Sequence, residues 1–337
     1  MLHSWLSNVS KLKSRGFKTF SLELSLSYFS LEMTSREEPV RDRRTHWEGT
    51  SPLRRSFELP KLPVSQSSMA KQRKTYVYEG QISLSVFGID RVRWNAYAFI
   101  DGWFPGGESI HAYSEDEIAG GKPDPVASGQ MDLEPAIQDP RVYFLKVAEI
   151  RVQHVAEKYE ITLRHLERNI QWQVKHRSYM ALEIFVIRWE GGNLGIASLI
   201  GNFRIRETPD AFLFSQDFGD EEIKKKFHDM DVWHKKMTQV VGMVLDRLGT
   251  TLITWDVFQK SHIGYFLHNG NSDPSHLQAH SPRQPDSLRA IEEAFRDLWA
   301  IQQKVELLRQ SLKNIGEEAS YWLLFRPHFK DANATNS

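Results

Sequence analysis

The sequence predicts a mainly α protein: an elongated antiparallel bundle of long helices that follows a small α/β segment and a disordered amino-terminal tail. Two observations carry this prediction. Apolar residues recur at helical spacing through most of the second half of the 337-residue chain. The region 1–74 instead combines excess positive charge with fourteen serines. The predicted divisions are a tail over 1–74, an α/β segment over 75–135, the helical bundle over 136–326 and a disordered end over 327–337.

The amino-terminal tail holds fourteen Lys or Arg and seven Asp or Glu, a net charge of +7. Such a composition does not offset the entropy lost on ordering, so disorder is predicted. We interpret the arginines within 41–44 and 54–55 as solvated rather than as contacts for nucleic acid or acidic lipid. Residues 1–30 are basic and serine-rich, so mitochondrial targeting is an alternative to a cytoplasmic location. Met69, just before the first strand-like run, is an alternative start to Met1.

The α/β segment begins with a strand pattern. From Thr75 to Phe87, apolar and aromatic residues alternate with polar ones, which predicts a half-buried strand. The aromatic-rich run from 91 to 104 follows, and several of its aromatic residues recur at spacings of three and seven, which predicts one face of a short helix. We expect this segment to contact a partner, and the candidate contact residues are Trp94, Tyr97, Trp103 and Phe104.

Two groups of residues have side chains that can bind a metal ion, and their spacing can be compared with that of known metal-binding motifs. The loop after residue 104 carries acidic oxygens that suit a hard cation, but their spacing does not match a calcium-binding helix–loop–helix motif. His276 and His280 have the spacing of a zinc-binding pair, but Pro274 and Pro282 bracket them and leave room for only a short helix. We therefore predict a solvated acidic loop, and no metal or cofactor.

Three long helices are predicted in the remainder. The first begins at Asp139-Pro140, because Asp is a good N-cap and Pro is favoured at the first helical position. The second covers about 218–260 and the third about 286–325. Each has an apolar stripe too wide to stay exposed, so the stripes pack either within one chain, which we favour, or between chains as a coiled coil. Residues 181–206 are β-prone and glycine-rich, and they are interpreted as a hairpin or as an insertion.

Catalytic signatures are missing from the sequence. There is no Walker phosphate loop, no GxGxxG after a strand, no GxSxG and no HExxH, so no catalytic residue is predicted. The chain has no cysteine, which excludes disulfides and a thiol nucleophile. Lys and Arg balance Asp and Glu at 43 each, so a general polyanion binder is excluded and no nucleic acid is expected. No apolar run approaches the roughly 20 residues of a membrane span.

Four blocks carry a resemblance to a known group: VYEGQISLSVFGIDRVRWNAYAFIDGWF at 77–104, DPVASG at 124–129, DPRVYFLKVAEIRVQHVAEKYE at 139–160 and WDVFQKSHIGYF at 255–266. Their order and spacing resemble a group of uncharacterised filamentous-fungal helical proteins. Some members of that group look like CorA-type magnesium transporters at their carboxyl end. This chain stops near Pro327 and lacks the two membrane helices and pore motif of those members. The resemblance therefore transfers no catalytic or transport residue.

The function predicted from these observations is a non-enzymatic interaction or scaffold protein, which binds a protein partner or itself through its helices. The alternative is a soluble CorA-like cytosolic domain that associates with membrane-bound relatives. An enzyme of unrecognised type is a third hypothesis. It would require a pocket that brings together polar groups such as Asp90, Asp101 or His111.

Overall fold

The computed structural model describes residues 13–14, 17–34, 38–45, 52–60, 74–90, 92–104, 123–132, 136–189, 220–267 and 284–324. The strands are β1 Lys13–Ser14, β2 Phe17–Lys18, β3 Phe20–Thr34, β4 Ser56–Glu58, β5 Lys74–Gly88 and β6 Trp94–Ile100. The helices are α1 Pro140–Trp189, α2 Asp220–Ser261, α3 Ile263–Leu267 and α4 Gln284–Leu324, with a short 3₁₀ turn at Pro125–Ala127. None of these helices combines the length and apolar character that crossing a bilayer requires.

An antiparallel sheet of four strands is built around β5. On one side β3 pairs with β5 along its whole length, from Phe20 opposite Gly88 to Thr34 opposite Lys74. On the other side β4 and β6 follow one another, β4 opposite residues 76–78 and β6 opposite residues 82–88. β1 and β2 pair with each other as a separate two-stranded sheet. The strand that was predicted near residue 75 is confirmed as β5, the centre of the larger sheet.

The predicted elongated helical bundle is wrong as a fold class, because the described structure is mixed α and β. The main error lies in the tail that was predicted to be disordered over 1–74. Its residues 20–34 form β3, in which Leu22, Leu24 and Leu26 alternate with polar residues and are buried. Composition averaged over the whole tail hid this alternation, and the backbone partner that stabilises the strand is β5, which lies far along the chain.

The short helix predicted within 91–104 is also wrong. Residues 94–100 form β6, whose side chains alternate between half-buried and exposed with the period of a strand. Aromatic residues favour strands as well as helix faces, so spacings of three and seven did not discriminate between the two. Pairing with β5 satisfies the backbone of β6, and that pairing decides its conformation.

One face of the sheet is apolar and lies against α1. We call it the inner face; it is formed by Leu22, Leu24, Leu26, Ile82, Leu84 and Val86, which are all buried. At one end the Tyr28 ring meets His154 of α1 edge-on, with ring centroids 6.3 Å apart. At the other end the Trp94 ring packs on Tyr143 of α1, with centroids 5.0 Å apart. These contacts place the first turns of α1 along the inner face.

The chain divides into two compact units, and each unit takes part of every long helix. One unit contains Met1–His165 and Gln239–Arg309, and the other contains Leu166–Thr238 and Gln310–Ser337. In the first unit, Trp255 of α2 stacks on Phe295 of α4 with ring centroids 4.6 Å apart, and Gln259 donates a hydrogen bond to Glu292. In the second unit, an imidazole nitrogen of His234 lies 2.8 Å from the carbonyl oxygen of Leu312.

α1 begins at Pro140, as the sequence predicted, and the Asp139 carboxylate accepts the backbone N–H of Arg141. It continues to Trp189, so the hairpin predicted over 181–206 is wrong for residues 181–189. Residues 190–206 lie outside the described residues. The wide apolar stripes of the helices are buried within the chain: Leu163, Leu166, Val244, Leu248, Leu298 and Val305 are at most 1 % exposed.

Candidate interaction surface

The face of the sheet opposite the inner face carries the odd-numbered residues, because side chains alternate along a strand. We call it the outer face. Its centre is polar: Ser25 and Ser83 lie opposite each other, with hydroxyl oxygens 3.1 Å apart. The Gln81 amide donates to both hydroxyls, at 2.6 Å to Ser25 and 3.1 Å to Ser83. These side chains are half-buried. The hydrogen bonds that they make with each other replace some of the hydrogen bonds that water would supply.

At the end of the outer face that carries the β5–β6 hairpin, exposed apolar side chains replace the serines. We call this group the hairpin patch; it consists of Phe87, Tyr97 and Phe99 on the strands and of Ile89 and Val92 in the turn between them. The rings of Phe87 and Tyr97 stack with centroids 5.4 Å apart and planes within 3° of parallel. Phe99 is 66 % exposed and Val92 is 80 % exposed. Several neighbouring exposed apolar side chains on one surface are a feature of interaction sites.

The hairpin turn holds this patch in a defined shape. The Asp90 carboxylate accepts the backbone N–H groups of Val92 and Arg93 at 2.9 and 2.8 Å. It also accepts two bonds from the Arg93 guanidinium, and these bonds with Arg93 lower the pKa of Asp90 to about 2. Gly88 has no room for a side chain, since a Cβ there would lie 2.5 Å from the Arg93 carbonyl oxygen. A cleft of about 660 Å³ beside the turn is lined by Phe20, Phe87, Ile89, Val92 and Trp94 among others.

The four aromatic residues predicted to contact a partner separate into two groups. Tyr97 lies on the outer face within the hairpin patch. The other three contact the rest of the protein: the Trp94 indole donates to the Gln138 carbonyl oxygen, the Trp103 indole donates to that of Glu79, and the Phe104 ring stacks on Tyr78. Phe104 is buried, whereas Trp94 and Trp103 are half-buried. The sequence reasoning missed Phe87 and Phe99. A strand reading of 94–100, with Tyr97 and Phe99 on one face, would have found Phe99.

Residues 38–45 and 52–60 are attached to the sheet by buried charges. Asp101, just after β6, is 6 % exposed and accepts hydrogen bonds from Arg44 and Arg54, both at 2.7 Å. Arg54 also bonds to the Gln81 side chain, and Arg44 bonds to Asp42. Burial raises the pKa of Asp42, but the hydrogen bonds from Arg44 outweigh it and leave that pKa below its usual value. Arg44 and Arg54, which were interpreted as solvated, are therefore structural.

A second buried ion pair joins the sheet to α2. Glu79 of β5 is 4 % exposed, and its carboxylate lies 2.5 Å from the Arg247 guanidinium. Close by, the Ser27 carbonyl oxygen accepts hydrogen bonds from the Tyr159 hydroxyl of α1 and the Thr251 hydroxyl of α2, at 3.2 and 3.0 Å. Burial raises the pKa of Tyr159 above its usual value, so this phenol stays protonated as a donor.

The polar groups that an enzyme would need to bring together are far apart or outside the described residues. Asp90 precedes β6 and Asp101 follows it, and a strand of 7 residues spans roughly 23 Å. Both carboxylates are already engaged by arginines. His111, the acidic loop and the pair His276 and His280 lie outside the described residues. In the described part of the chain, no group of three His, Asp or Glu residues is placed to hold a metal ion.

Comparisons with known proteins give no further guide to the site. No protein-family model, curated protein or solved structure matches this chain. The resemblance to the fungal group and its CorA-like members therefore stays a prediction that rests on the four sequence blocks.

Proposed function

We propose that this chain is a non-enzymatic interaction protein that binds a protein partner through the hairpin patch. The observation that carries the proposal is the exposure of five large apolar side chains on one preformed hairpin, between 42 and 80 % each. Aromatic residues on rigid elements make good contact surfaces, because they bury much area and lose little conformational freedom on binding.

The sheet supports this proposal better than the helices do. Self-association through the helical stripes needs those stripes to be exposed, and most of the stripe residues whose burial the structure describes are buried within the chain. The large apolar side chains that remain exposed on the helices include Ile161, Ile253, Trp299 and Leu307, and they are separated by several turns or lie on different helices. The hairpin patch instead places all its members between Phe87 and Phe99, on one hairpin.

The composition of the patch favours an apolar protein surface as the partner, because its five side chains are all apolar or aromatic. The charged residues of the described turn, Asp90 and Arg93, neutralise each other in an ion pair. A nucleic acid site would need an excess of Lys and Arg beside the aromatic rings. Burial of one Phe side chain contributes about 1.5–3 kcal/mol, so two buried Phe residues would supply a substantial part of a specific affinity.

Affinity capture with the immobilised full chain tests the proposal. The chain with Phe87→Ser and Phe99→Ser is compared with the unchanged chain and with Trp299→Ser, which removes an aromatic side chain of similar exposure from α4. We expect the patch variant to capture its partner at least about tenfold less, since about 1.4 kcal/mol corresponds to tenfold in affinity. Trp299→Ser should capture as much as the unchanged chain. Equal capture by all three proteins would contradict the proposal.

A further inference from the structure

The outer edge of β6 is a second recognition feature, separate from the outer face that the proposed function uses. The Asp101 N–H donates to the Gln81 carbonyl oxygen at 3.0 Å, which makes these two residues a hydrogen-bonded pair. Such pairs alternate along an antiparallel ladder, so odd-numbered residues of β6 bond to β5. The backbone groups of Trp94, Ala96, Ala98 and Ile100 therefore point away from β5. Within the part of the chain that the structure describes, no strand pairs with that edge.

The opposite edge of the sheet is closed. The same alternation points the backbone groups of odd-numbered β3 residues outward, and the outward carbonyl of Ser27 accepts bonds from Tyr159 and Thr251. Helices therefore cover the edge of β3 at this point. The two edges differ in their chemistry: the outward carbonyl oxygen of Ser27 on β3 is bonded by side chains of α1 and α2, whereas no described strand bonds to the outward backbone groups of β6, beside which the 3₁₀ turn at Pro125–Ala127 lies.

β6 also lacks the features that keep edge strands from pairing. Natural edges are protected by Lys, Pro, inward-pointing charges or bulges. The sequence of β6 is WNAYAFI, which contains no charge and no proline, and its pairing with β5 is continuous over the whole strand. Aromatic and β-branched residues in this segment favour strand pairing.

We propose that two copies of the chain pair antiparallel through their β6 edges, with Tyr97 on the two-fold axis. This register sets every residue of β6 opposite a β6 residue of the second copy: Ala96 opposite Ala98, and Trp94 opposite Ile100. The outward backbone groups of these even-numbered residues exchange hydrogen bonds across the axis. At the two ends of the ladder Arg93 of one copy falls opposite Asp101 of the other, and because each is already paired within its own chain, no unpaired charges meet there.

The pairing joins the two hairpin patches. Tyr97 faces Tyr97 of the second copy, and Phe99 faces Asn95, all on the outer face. The two sheets become continuous, and the two patches form one apolar surface that is larger than either. A partner with two matching sites would then bind the dimer more tightly than the monomer.

Single-cysteine variants of the full chain test this register, because the chain contains no cysteine. With Tyr97→Cys, the two cysteines form a non-hydrogen-bonded pair with Cα atoms about 4.5 Å apart. That separation lies within the range of a disulfide. The matched control is Ser85→Cys, on the same face and opposite Tyr97 on β5. Three strand spacings separate the two control cysteines, roughly 14 Å, which is too far for a disulfide.

Oxidation with glutathione disulfide should give at least about tenfold more covalent dimer from Tyr97→Cys than from Ser85→Cys. Each disulfide that forms passes two electrons and two thiol protons to one glutathione disulfide, which becomes two thiols. Adding Ala98→Pro to Tyr97→Cys should abolish the preference. Proline at position 98 removes an outward N–H that the β5 ladder does not use, so the fold is retained, which circular dichroism and thermal melting check. Equal cross-linking of both cysteine variants, or cross-linking that survives Ala98→Pro, would overturn the proposal.

Light scattering after gel filtration gives an independent reading. The unchanged chain should show twice the monomer mass of 39.1 kDa, and Ala98→Pro should show the monomer mass. An unchanged chain that stays monomeric at every concentration would overturn the pairing. If it does so while its hairpin patch still captures a partner, the pairing is wrong and the proposed function stands. If the chain is dimeric while the patch variant captures as well as the unchanged chain, the proposed function is wrong and the pairing stands.

Discussion

The two faces of the sheet are built from the same strands but differ in burial. In β3, Leu22, Leu24 and Leu26 point to the inner face and are buried, whereas Ser25 and Ser27 point to the outer face and are half-buried. The inner face is covered by α1, and the outer face ends in the exposed hairpin patch. The difference separates stability from recognition: changes on the inner face should unfold the protein, whereas changes at the central serines and the hairpin patch of the outer face should leave it folded.

The largest loss of stability is expected when a truncation removes a whole strand from the inner face. A chain that begins at Met69 lacks β3 and β4, so β5 loses its neighbour along its full length. Each buried Leu contributes about 1.5–3 kcal/mol, and a typical domain is stable by only about 5–15 kcal/mol. We expect residues 69–337 to show no cooperative unfolding of the sheet, with fast amide exchange throughout β5. Exchange protection of β5 equal to that of the full chain would contradict this account.

A single substitution on each face sharpens the comparison. Leu26→Ala opens a cavity on the inner face and should lower the free energy of unfolding by about 2–5 kcal/mol. Ser25→Ala, the adjacent residue on the outer face, removes hydrogen bonds to Ser83 and Gln81 and should cost only about 0.5–1.5 kcal/mol. Denaturation in urea measures both. If Ser25→Ala cost as much as Leu26→Ala, the two faces would not differ as described.

Gly80 tests how closely the inner face is packed. It lies opposite Tyr28, and a Cβ at this position would be 2.6 Å from the tyrosine ring. Gly80→Ala should therefore displace the ring and lower stability by about 1–3 kcal/mol. The control is Gly242→Ala in α2, where a Cβ meets nothing within 4 Å. That change should stabilise the helix by about 1 kcal/mol, so the two thermal melts should shift in opposite directions.

Removal of an ion pair beside the sheet should lower stability by a smaller amount, and this loss should depend on pH. The pKa of Asp42 is lowered in the folded chain, so its contribution to stability is present above the unfolded value of about 3.9. That contribution is lost as pH falls through the lower folded value. Asp42→Asn should thus be less stable than the unchanged chain at pH 6 and should approach it as pH falls below about 4. A difference that stays constant over this pH range would contradict the assignment to Asp42.

The smallest effect on stability is expected at the hairpin patch. Phe99 is 66 % exposed, so Phe99→Ser should change the free energy of unfolding by no more than about 0.5 kcal/mol. The same variant should weaken partner capture. A large loss of stability would mean that the Phe99 ring contributes to the core instead of to recognition.

Local sequence patterns were sufficient to predict an element when the residues that define it lie within that element. The start of α1 could be predicted because Asp139 caps the helix and Pro140 suits its first turn. β5 could be predicted because apolar residues alternate with serines from Ile82 to Val86. Of the candidate contact residues, Tyr97 lies on the surface, Trp94 is half-buried and Phe104 is buried. Sequence spacing does not say which side of an element meets the rest of the chain.

The long helices and the central strand could be predicted from the amino-acid sequence alone, which also contains no cysteine and none of the familiar catalytic motifs. Tertiary structure decided that residues 20–34 are a strand, that residues 94–100 are a strand instead of a helix, and that Arg44 and Arg54 are structural. It also decided which aromatic side chains are exposed. The physical reason is that strand pairing and buried ion pairs join residues far apart in sequence. A helix is stabilised largely by bonds within its own segment, so its signal can be read locally.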